Sequence, residues 1–377
     1  MKNETNATKP KQIAVLFGGR SPEYTVSLQS AYAIITHMDR EKFAPTPIGI
    51  TPSGEWFLFR GHPDRIPNDT WYKEEDCVPV TLSLSPRGLY LQDSVRQNTC
   101  DSLRHPKIDA VFPVLHGRNG EDGTVQGMFR LAGIPVVGCD VLASALCMDK
   151  DKAHRLVSAA GIRVPKARVL SRNFFRQENA DLRENIDSDS LRTQADEIGY
   201  PLFVKPVRAG SSFGITRVTD AAALPDAVEK ALQYDDSVIL EEAIPGFEVG
   251  CAVLGNDRLT LGGPDEIELS EGFFDYTEKY TLKTSAIHVP ARIDADKALQ
   301  IRQNAARIYR TLGCRGFARV DMFLTPSGEI VFNEVNTIPG FTDHSRFPNM
   351  LKAEGLTFEE IITETIELAL ESDYEQY

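Results

Sequence analysis

The stretch "GFARVDMFLTPSGEIVFNEVNTIPGF" (316–341) decides how this sequence is interpreted, because polar side chains interrupt two otherwise apolar, strand-like runs. "TPSG" (325–328) predicts a tight turn between the runs, since proline presets φ and glycine tolerates a positive φ. Side chains of a strand alternate between its two faces, so Arg319 and Asp321 share a face of the first strand. By the same alternation, one face of the second strand carries Ile330, Phe332, Glu334 and Asn336.

The pairing of these strands determines whether the polar groups meet. If Phe323 pairs with Ile330, all of them lie on the same side of the hairpin. The carboxylates would then be crowded into half-buried sheet, where repulsion and desolvation are costly. A hard divalent cation would offset both costs, and carboxylates with an amide carbonyl suit Mg²⁺ that also binds phosphate oxygens. The alternative is that Arg319 neutralises the carboxylates in an exposed hairpin.

Composition limits the classes of function. The chain has 377 residues, which favours two or three domains, and its formal net charge of -13 argues against nucleic acid or an anionic membrane as a partner. The six cysteines form no C-x-x-C pair, which disfavours a thiolate zinc site and a disulfide framework and favours a reducing cytoplasm. The polar N-terminus does not resemble a signal peptide, and no apolar run is long enough to cross a bilayer.

Strand-like runs alternate with helical spacing in the first third of the chain. "QIAVLFGG" (12–19), "FAPTPIGIT" (43–51) and "IDAVFPVLHG" (108–117) predict strands, and "SLQSAYAIITHM" (27–38) predicts a helix. This alternation is typical of a doubly wound parallel sheet in an α/β protein. We therefore expect a first domain at about residues 12–145.

The remaining chain contains further helices and strands and one polar segment. "LCMDKDKAHRLVSAAG" (146–161) predicts a helix that ends at Gly161. Residues 171–195 are charge-rich and weakly periodic, which predicts a helical or mobile insertion. "PLFVKPVRAGSSFGITRV" (201–218) predicts two strands around a glycine-rich loop, and "SVILEEAIPGFEVGCAVLG" (237–255) predicts two more strands.

Two glycine-rich loops contain candidate ligand-binding groups. "KPVRAGSSFG" (205–214) offers backbone N–H donors, hydroxyls and Lys205 to phosphate oxygens, although it lacks the Walker A spacing. A flexible hairpin explains that loop equally well. "VLHGRNGEDG" (114–123) follows a predicted strand at the sheet edge where ligands usually bind, so His116 is a functional candidate.

Two further features suggest a nucleotide and a closing loop. Glu241 and Glu248 lie near a strand end and suit an adenosine ribose, although an exposed acidic edge is an equally simple explanation. "GFFDYTEKYTLKTSAI" (272–287) is too polar for core and too aromatic for a linker, which predicts a loop that closes over a substrate. "LFGGRSPE" (16–23) lacks the G-x-G-x-x-G spacing, which disfavours an NAD-dependent dehydrogenase.

Seven motifs resemble those of the ATP-grasp ligases that join D-alanine to a second D-amino acid. In chain order they are "FGGRSPEYTVSL", "LHGRNGEDGTVQG", "MDKDKAH", "FVKPVRAGSSFG", "FFDYTEKY", "GFARVDMF" and "FNEVNTIPGFTDHSRFP". The resemblance runs from about residue 12 to 370. It implies an N-terminal doubly wound domain (12–145) followed by a two-domain ATP-grasp fold, with a central domain (146–236) and a C-terminal domain (237–372).

The resemblance also implies the substrates and the site. It implies ATP, two Mg²⁺ ions that Mn²⁺ could replace, D-amino acid substrates, a homodimer and peptidoglycan precursor synthesis in the cytoplasm. The implied nucleotide contacts are Lys150, Lys205, Gly210, Ser211, Ser212, Glu241, Glu248 and Lys279. The implied metal ligands are Asp321, Glu334 and Asn336. The implied catalytic groups are Arg319 and the Gly340 N–H at the oxyanion, Tyr280 linked to Ser211, and His116 beside the first substrate. Ser345 would hold the carboxylate of the second substrate.

Two positions depart from the common pattern of this family. Thr25 replaces an acid that helps to hold the first substrate's ammonium, and Glu23 is the candidate substitute. Arg346 in "HSRFP" resembles the vancomycin-resistance ligases that accept D-serine or D-lactate, rather than the apolar residue of D-alanyl-D-alanine ligases. "EKY" (278–280) lacks the histidine of the D-lactate type, whereas the retained tyrosine is less typical of the D-serine type. We therefore expect D-serine to be favoured slightly over D-alanine.

Two other classes of protein share part of this pattern. An ATP-grasp ligase for a different carboxylate and amine would share the phosphate loop and metal strands, but it gives no reason to keep "HGRNGEDG" and "PGFTDHSRFP" together. An inactive nucleotide-binding regulator would be expected to lose metal ligands or phosphate lysines, and this chain retains both sets.

Overall fold

The computed structural model describes residues 9–73, 75–82, 91–93, 108–175, 189–210, 212–269 and 285–371. Its strands form a six-stranded, a four-stranded and a second six-stranded sheet. Helices pack beside these sheets, which confirms the predicted α/β class. Within the described part of the chain, no helix is both long enough and apolar enough to span a bilayer.

The first sheet contains the predicted parallel strands. Its strands are β1 (Lys11–Gly18), β2 (Phe43–Ile50), β3 (Trp56–Phe59), β4 (Cys77–Leu82), β5 (Leu91–Asp93) and β6 (Ala110–Pro113). β1 runs parallel to β2 and β6, whereas β3, β4 and β5 extend the sheet in antiparallel order. This antiparallel extension was not predicted. Helices α1 (Tyr24–His37) and α2 (Thr124–Leu131) follow β1 and β6.

The helix predicted at 146–161 is two helices, α3 (Val141–Met148) and α4 (Lys150–Ala159). Asp149 separates them, because its φ of -88° and ψ of 98° are not helical. Its carboxylate accepts a hydrogen bond from the Lys152 N–H at 3.0 Å and so caps α4. The prediction of one continuous helix was wrong.

The second sheet is antiparallel and has the order β7-β10-β8-β9. Its strands are β7 (Ala167–Ser171), β8 (Leu202–Pro206), β9 (Thr216–Val218) and β10 (Ser237–Glu242). α5 (Asp189–Ile198) and α6 (Leu224–Ala231) lie in the same part of the chain. Because β10 pairs with β7 and β8, the predicted division at residues 236 and 237 would separate it from both neighbours. The domain limits as a whole stay a prediction.

The segment predicted as an insertion, 171–195, contributes to the core at both of its ends. Phe175, Leu191 and Ala195 are buried in the cluster that packs on the second sheet. The helical alternative agrees with α5 (Asp189–Ile198), whereas the prediction that this segment is an insertion stays a prediction. Residues 176–188 lie outside the described residues.

The third sheet holds the hairpin on which the interpretation rests. Its strands are β11 (Phe247–Gly255), β12 (Leu259–Leu261), β13 (Asp265–Leu269), β14 (Ser285–His288), β15 (Phe317–Leu324) and β16 (Ile330–Asn336). They run in the order β14-β13-β11-β15-β16, with β12 paired to β11. Three helices complete this part of the chain: α7 (Ala295–Thr311), α8 (Arg346–Lys352) and α9 (Phe358–Leu370).

The register of the hairpin corrects one prediction. Phe323 pairs with Val331 and not with Ile330, and a β-bulge then leaves Asn333 as an extra residue in β16, so that Glu334 pairs with Asp321. Ile330 and Phe332 therefore lie in the apolar core on the opposite face and do not accompany Glu334. A bulge changes which face each residue occupies, and simple alternation cannot predict it.

Aromatic side chains join the first sheet to the third. The ring of Phe112 in β6 lies 6.0 Å from that of Phe317 in β15 and 5.7 Å from that of Phe341. All three side chains are almost completely buried. This shared core brings the loop after β6 to the end of the β15–β16 hairpin.

Candidate active site

Polar groups face one another on one side of the β15–β16 hairpin. The cross-strand pairs there are Arg319 with Asn336 and Asp321 with Glu334. The predicted clustering of these four residues is thus confirmed, although it depends on the bulge and not on the predicted pairing.

Arg319 and Asp321 form a buried ion pair within β15. The Arg319 Nε and Nη2 atoms donate to the two Asp321 oxygens at 2.8 and 2.6 Å. The Asn336 amide also donates to Asp321, at 2.8 Å. Burial acts to lower the pKa of Arg319, but the charge and hydrogen bonds of Asp321, together with the charge of Asp265, outweigh burial and raise the pKa. Arg319 does neutralise a carboxylate, as the alternative interpretation proposed, but it does so in the interior.

Arg346, the first residue of α8, inserts into the same face of the sheet. Its Nε and Nη2 atoms donate to the two oxygens of Asp265 at 2.6 and 2.9 Å. Its Nη1 donates to Glu248 at 2.8 Å, and its Nη2 lies 3.4 Å from Asp321. Burial acts to lower the pKa of Arg346, but these three carboxylates hold it well above its usual value. The contact with Glu248, expected near the nucleotide, was not predicted.

Gly250 in β11 makes room for this ion cluster. It pairs with Asp321 on one side and with Asp265 on the other, and its N–H donates to Asp265 at 2.8 Å. A Cβ at this position would lie 2.6 Å from Arg346 Nη2 and 2.7 Å from Asp265 Oδ1. Any larger residue here must displace the guanidinium.

The two predicted phosphate lysines are both buried and both beside carboxylates. The Lys150 Nζ donates to the Ala209 carbonyl at 2.8 Å and lies 3.7 Å from Glu334 Oε2. The Lys205 Nζ donates to Glu241 Oε1 across the second sheet. The other oxygen of Glu241 is buried and has no hydrogen-bond partner among the described residues. It is therefore an acceptor available to a ligand's N–H or O–H group.

His116 lies buried in the loop that follows β6. Its Nδ1 donates to the Ile338 carbonyl at 2.9 Å, since a carbonyl oxygen can only accept. Burial is the main cause that lowers the pKa of His116, so the ring is neutral and its Nε2 carries a lone pair. Nε2 is buried without a hydrogen-bond partner in the described part of the chain. It can accept a hydrogen bond from a substrate ammonium or hydroxyl.

Glu121 ties the same loop to the end of the hairpin. The oxygens of its carboxyl group accept from the Gly117 N–H at 2.8 Å and from the Ile338 N–H at 3.1 Å. Burial, together with the nearby charge of Glu23, raises the pKa of Glu121 to about 8. The sequence indicated this loop as functional but did not identify this residue as a link between distant parts of the chain.

Glu23 points toward the loop that contains His116, whereas Thr25, the position that departs from the family pattern, does not. Its side chain is 8% exposed, and its Oε2 would lie 3.0 Å from a Cβ built on Gly117 and 3.6 Å from one built on Gly210. Thr25 is exposed to solvent. The structure therefore brings Glu23 together with His116 and with the start of the glycine-rich loop.

The turn after the hairpin places Gly340 next to Ser345. A Cβ built on Gly340 would lie 3.1 Å from Ser345 Oγ. That hydroxyl accepts from the Thr342 N–H at 3.0 Å and contacts the Thr342 hydroxyl at 2.8 Å. Ser345 also precedes Arg346, so the residues predicted for the second substrate lie at the N-terminus of one helix.

The donor set of the hairpin fits magnesium in part. Glu334 is partly exposed and the Asn336 carbonyl oxygen is not used by its bond to Asp321, so both can offer oxygen to a hard cation. Asp321 already receives hydrogen bonds from Arg319 on both oxygens. In the described part of the chain, no group of three His, Cys, Asp or Glu side chains is arranged to hold a metal by itself. An ion here would take further ligands from phosphate oxygens and water.

Part of the predicted site lies outside the described residues. This applies to Ser211, Lys279, Tyr280 and the loop at 272–284. Ser285, Ala286 and Ile287, predicted in the same loop, form β14 with His288. Ser212 is described and has a φ of +60°, which is unusual for a residue other than glycine.

The sequence did not identify Asp265 or His154 as site residues. Asp265 is fully buried and lies 81 positions from Arg346 in the chain. An acid inside "GGPDEIEL" (262–269), in an otherwise strand-like run, was the signal that could have indicated it. His154 lies within "MDKDKAH", four positions after Lys150 on α4.

Comparison with known proteins gives matches along most of the chain. The family model "D-ala D-ala ligase N-terminus" matches residues 12–139, and "D-ala D-ala ligase C-terminus" matches residues 156–367. The vancomycin C-type resistance protein VanC1 of Enterococcus gallinarum is 42% identical over 362 residues, which are 96% of this chain and 99% of that one. A D-alanine--D-alanine ligase of Shouchella clausii is 40% identical over 366 residues, with 96% and 95% of the two chains covered. The solved VanG D-Ala:D-Ser ligase from Enterococcus faecalis is 54% identical, with a TM-score of 0.83 over 96% of this chain and 99% of that chain.

Proposed function

The chain belongs to the D-alanine–D-alanine ligase family of ATP-dependent carboxylate–amine ligases, and from that premise we propose that it joins D-alanine to D-serine. The observation that carries the choice of D-serine is the position of Arg346. Its guanidinium is buried on the sheet face that also holds Arg319 and Asp321. The likeness to a solved D-Ala:D-Ser ligase supports the same choice.

The nucleotide would lie between the second and third sheets. Lys150 and Lys205 supply positive charge for the phosphates, and the backbone around Gly210 and Ser212 supplies N–H donors. The unpartnered oxygen of Glu241 would accept from the adenine amino group or the ribose. Lys150 lies next to Glu334, so phosphate and metal sites would adjoin each other.

In the first step, the D-alanine carboxylate attacks the γ-phosphate of ATP and forms D-alanyl phosphate and ADP. Glu23 and the Nε2 atom of His116 would hold the substrate's ammonium, because the Glu23 carboxylate and the lone pair on Nε2 can both accept its N–H bonds. Mg²⁺ held by Glu334 and Asn336, with Asp321 beside them, would offset the charge of the phosphates. Lys150 and Lys205 would also offset the negative charge of the phosphates.

In the second step, the amine of the second substrate attacks the acyl phosphate carbonyl, and inorganic phosphate leaves. Arg319 would stabilise the tetrahedral oxyanion together with the Gly340 N–H, and loss of one such donor typically costs about 10²–10³ in rate. Ser345 would hold the substrate's carboxylate. Closure of the predicted loop, now limited to 272–284, would exclude water from the acyl phosphate.

The choice between D-serine and D-alanine depends on one polar contact. A guanidinium can donate to the serine hydroxyl, and the carboxylates around it can accept from the same hydroxyl. D-Alanine offers a methyl group there and cannot make this polar contact. A site built in this way favours the hydroxyl.

Phosphate release under defined substrates tests this proposal. The protein is incubated with ATP, Mg²⁺ and D-alanine, then with added D-serine or D-lactate, and the products are separated. We expect release with D-alanine and a marked increase with D-serine, accompanied by the mixed dipeptide. Release that requires a different carboxylate would instead favour an ATP-grasp ligase for another substrate pair.

A further inference from the structure

His154 in α4 has no place in the mechanism above, yet its ring is buried against the bulge of β16. It is 5% exposed, and its Nε2 donates to the backbone carbonyl of Asn333 at 2.8 Å. The ring packs edge-on against Phe332, with centroids 5.5 Å apart and planes at 73°. Its Nδ1 has no hydrogen-bond partner among the described residues, so the bond to Asn333 is the polar contact that orients the ring.

The bulge needs contacts of this kind. An extra residue interrupts the ladder and leaves backbone groups that must find partners elsewhere. The Asn333 carbonyl accepts a hydrogen bond from His154, and the Phe332 N–H donates to the Arg163 carbonyl at 2.9 Å. Both partners come from α4 or from the segment directly after it. The bulge in turn sets Glu334 opposite Asp321.

The same helix also carries a predicted phosphate contact. Lys150 lies one helical turn before His154, so both side chains project from the same face of α4. Lys150 Nζ is 3.7 Å from Glu334 Oε2. One rigid helix therefore fixes the distance between a phosphate lysine and the strand that carries the metal ligands.

We propose that His154 is a positioning residue that holds the β16 bulge and thereby aims Glu334 at the metal. The inference rests on the proposed function, because it takes Glu334 as a metal ligand. His154 itself contacts neither metal nor substrate. Replacing a residue that orients a metal ligand without contacting the metal typically lowers metal affinity about 10–100-fold.

Three variants separate the hydrogen bond from general packing. His154→Phe keeps an aromatic ring and removes the donor, whereas His154→Gln places an amide N–H close to the position of Nε2. Val157→Ala, at a fully buried position on α4, is the matched control for a loss of packing. If His154→Phe does not fold, His154→Asn replaces it, because its amide is too short to reach the carbonyl.

The first readout is amide hydrogen exchange of peptides covering residues 331–336, without nucleotide or metal. We expect faster exchange in His154→Phe and nearly native exchange in His154→Gln and Val157→Ala. Unchanged exchange in His154→Phe, or equal acceleration in Val157→Ala, would overturn the proposal. This readout does not depend on whether the chain is a ligase.

The second readout is Mn²⁺ binding in the presence of ADP, followed by electron paramagnetic resonance. We expect roughly tenfold or weaker affinity in His154→Phe and recovery in His154→Gln. Equal affinity in the wild type and His154→Phe would contradict the positioning role. Absence of Mn²⁺ binding in the wild type would contradict the proposed metal site, while the exchange measurement would still decide the role of His154.

Discussion

Replacing Arg346 with leucine should destabilise the folded protein strongly, because it removes the cation from a buried cluster of carboxylates. Asp265 is completely buried, and among the described residues its remaining hydrogen-bond donor would be the N–H of Gly250. Glu248 and Asp321 would lose a positive neighbour at 2.8 and 3.4 Å. Removal of one partner from a buried ion pair typically costs about 3–5 kcal/mol. We expect a loss of that size in the free energy of unfolding.

The double variant Asp265→Asn/Arg346→Leu tests the cause of this loss. The asparagine carbonyl can still accept from the Gly250 N–H, and the buried negative charge is gone. Most of the stability should return, and a double-mutant cycle should give a coupling of about 2 kcal/mol or more. Denaturant unfolding of the wild type, both single variants and the double variant measures it.

The same variants test substrate choice. If Arg346 orients the serine hydroxyl, the ratio of kcat/KM for D-alanine to kcat/KM for D-serine should be higher in the folded double variant than in the wild type. A loss below about 1 kcal/mol in Arg346→Leu would refute the electrostatic reasoning, since only exposed pairs are worth so little. An unchanged ratio of kcat/KM values would refute the role in specificity.

Three further predictions concern other parts of the site. Glu23→Gln should raise KM for the first D-alanine about tenfold or more, whereas Thr25→Ala should leave that KM nearly unchanged. Equal effects of the two variants would contradict the proposal that Glu23 binds the substrate's ammonium. Glu121 has its pKa raised from 4.5 to about 8, so the folded state holds this proton more tightly and loses stability as pH rises through that interval. As the pH rises from 5 to 9, the free energy of unfolding of Glu121→Gln should therefore increase relative to that of the wild type. Parallel curves of unfolding free energy against pH would contradict this. Gly250→Ala should lower D-serine use by displacing the guanidinium, while Gly127→Ala, whose Cβ would meet its nearest atom at 3.9 Å, should not.

The sequence predicted the hairpin and its polar face because the turn residues and the period of two are local signals. It could not predict the bulge at Asn333, since the partners of the freed backbone groups, His154 and Arg163, come from elsewhere in the chain. The helix predicted across Asp149 failed for a local reason, because an aspartate can end one helix and cap the next.

Long-range polar contacts explain most of what the sequence missed in the site. Arg346 was predicted to determine the second substrate, but its partner Asp265 lies on β13, 81 positions earlier in the chain, and no local pattern connects them. Glu121 contacts Ile338, which lies 217 positions later in the chain. This contact exists only once the first and third sheets share a core.

The most direct test of the proposed function is a competition between D-serine and D-alanine at equal concentration and neutral pH, with ATP, Mg²⁺ and D-alanine as the first substrate. Mass spectrometry of the products gives the ratio of D-alanyl-D-serine to D-alanyl-D-alanine. We expect the mixed dipeptide to dominate and the Asp265→Asn/Arg346→Leu variant to reverse the ratio. Exclusive formation of D-alanyl-D-alanine by the wild type would contradict the proposed preference for D-serine.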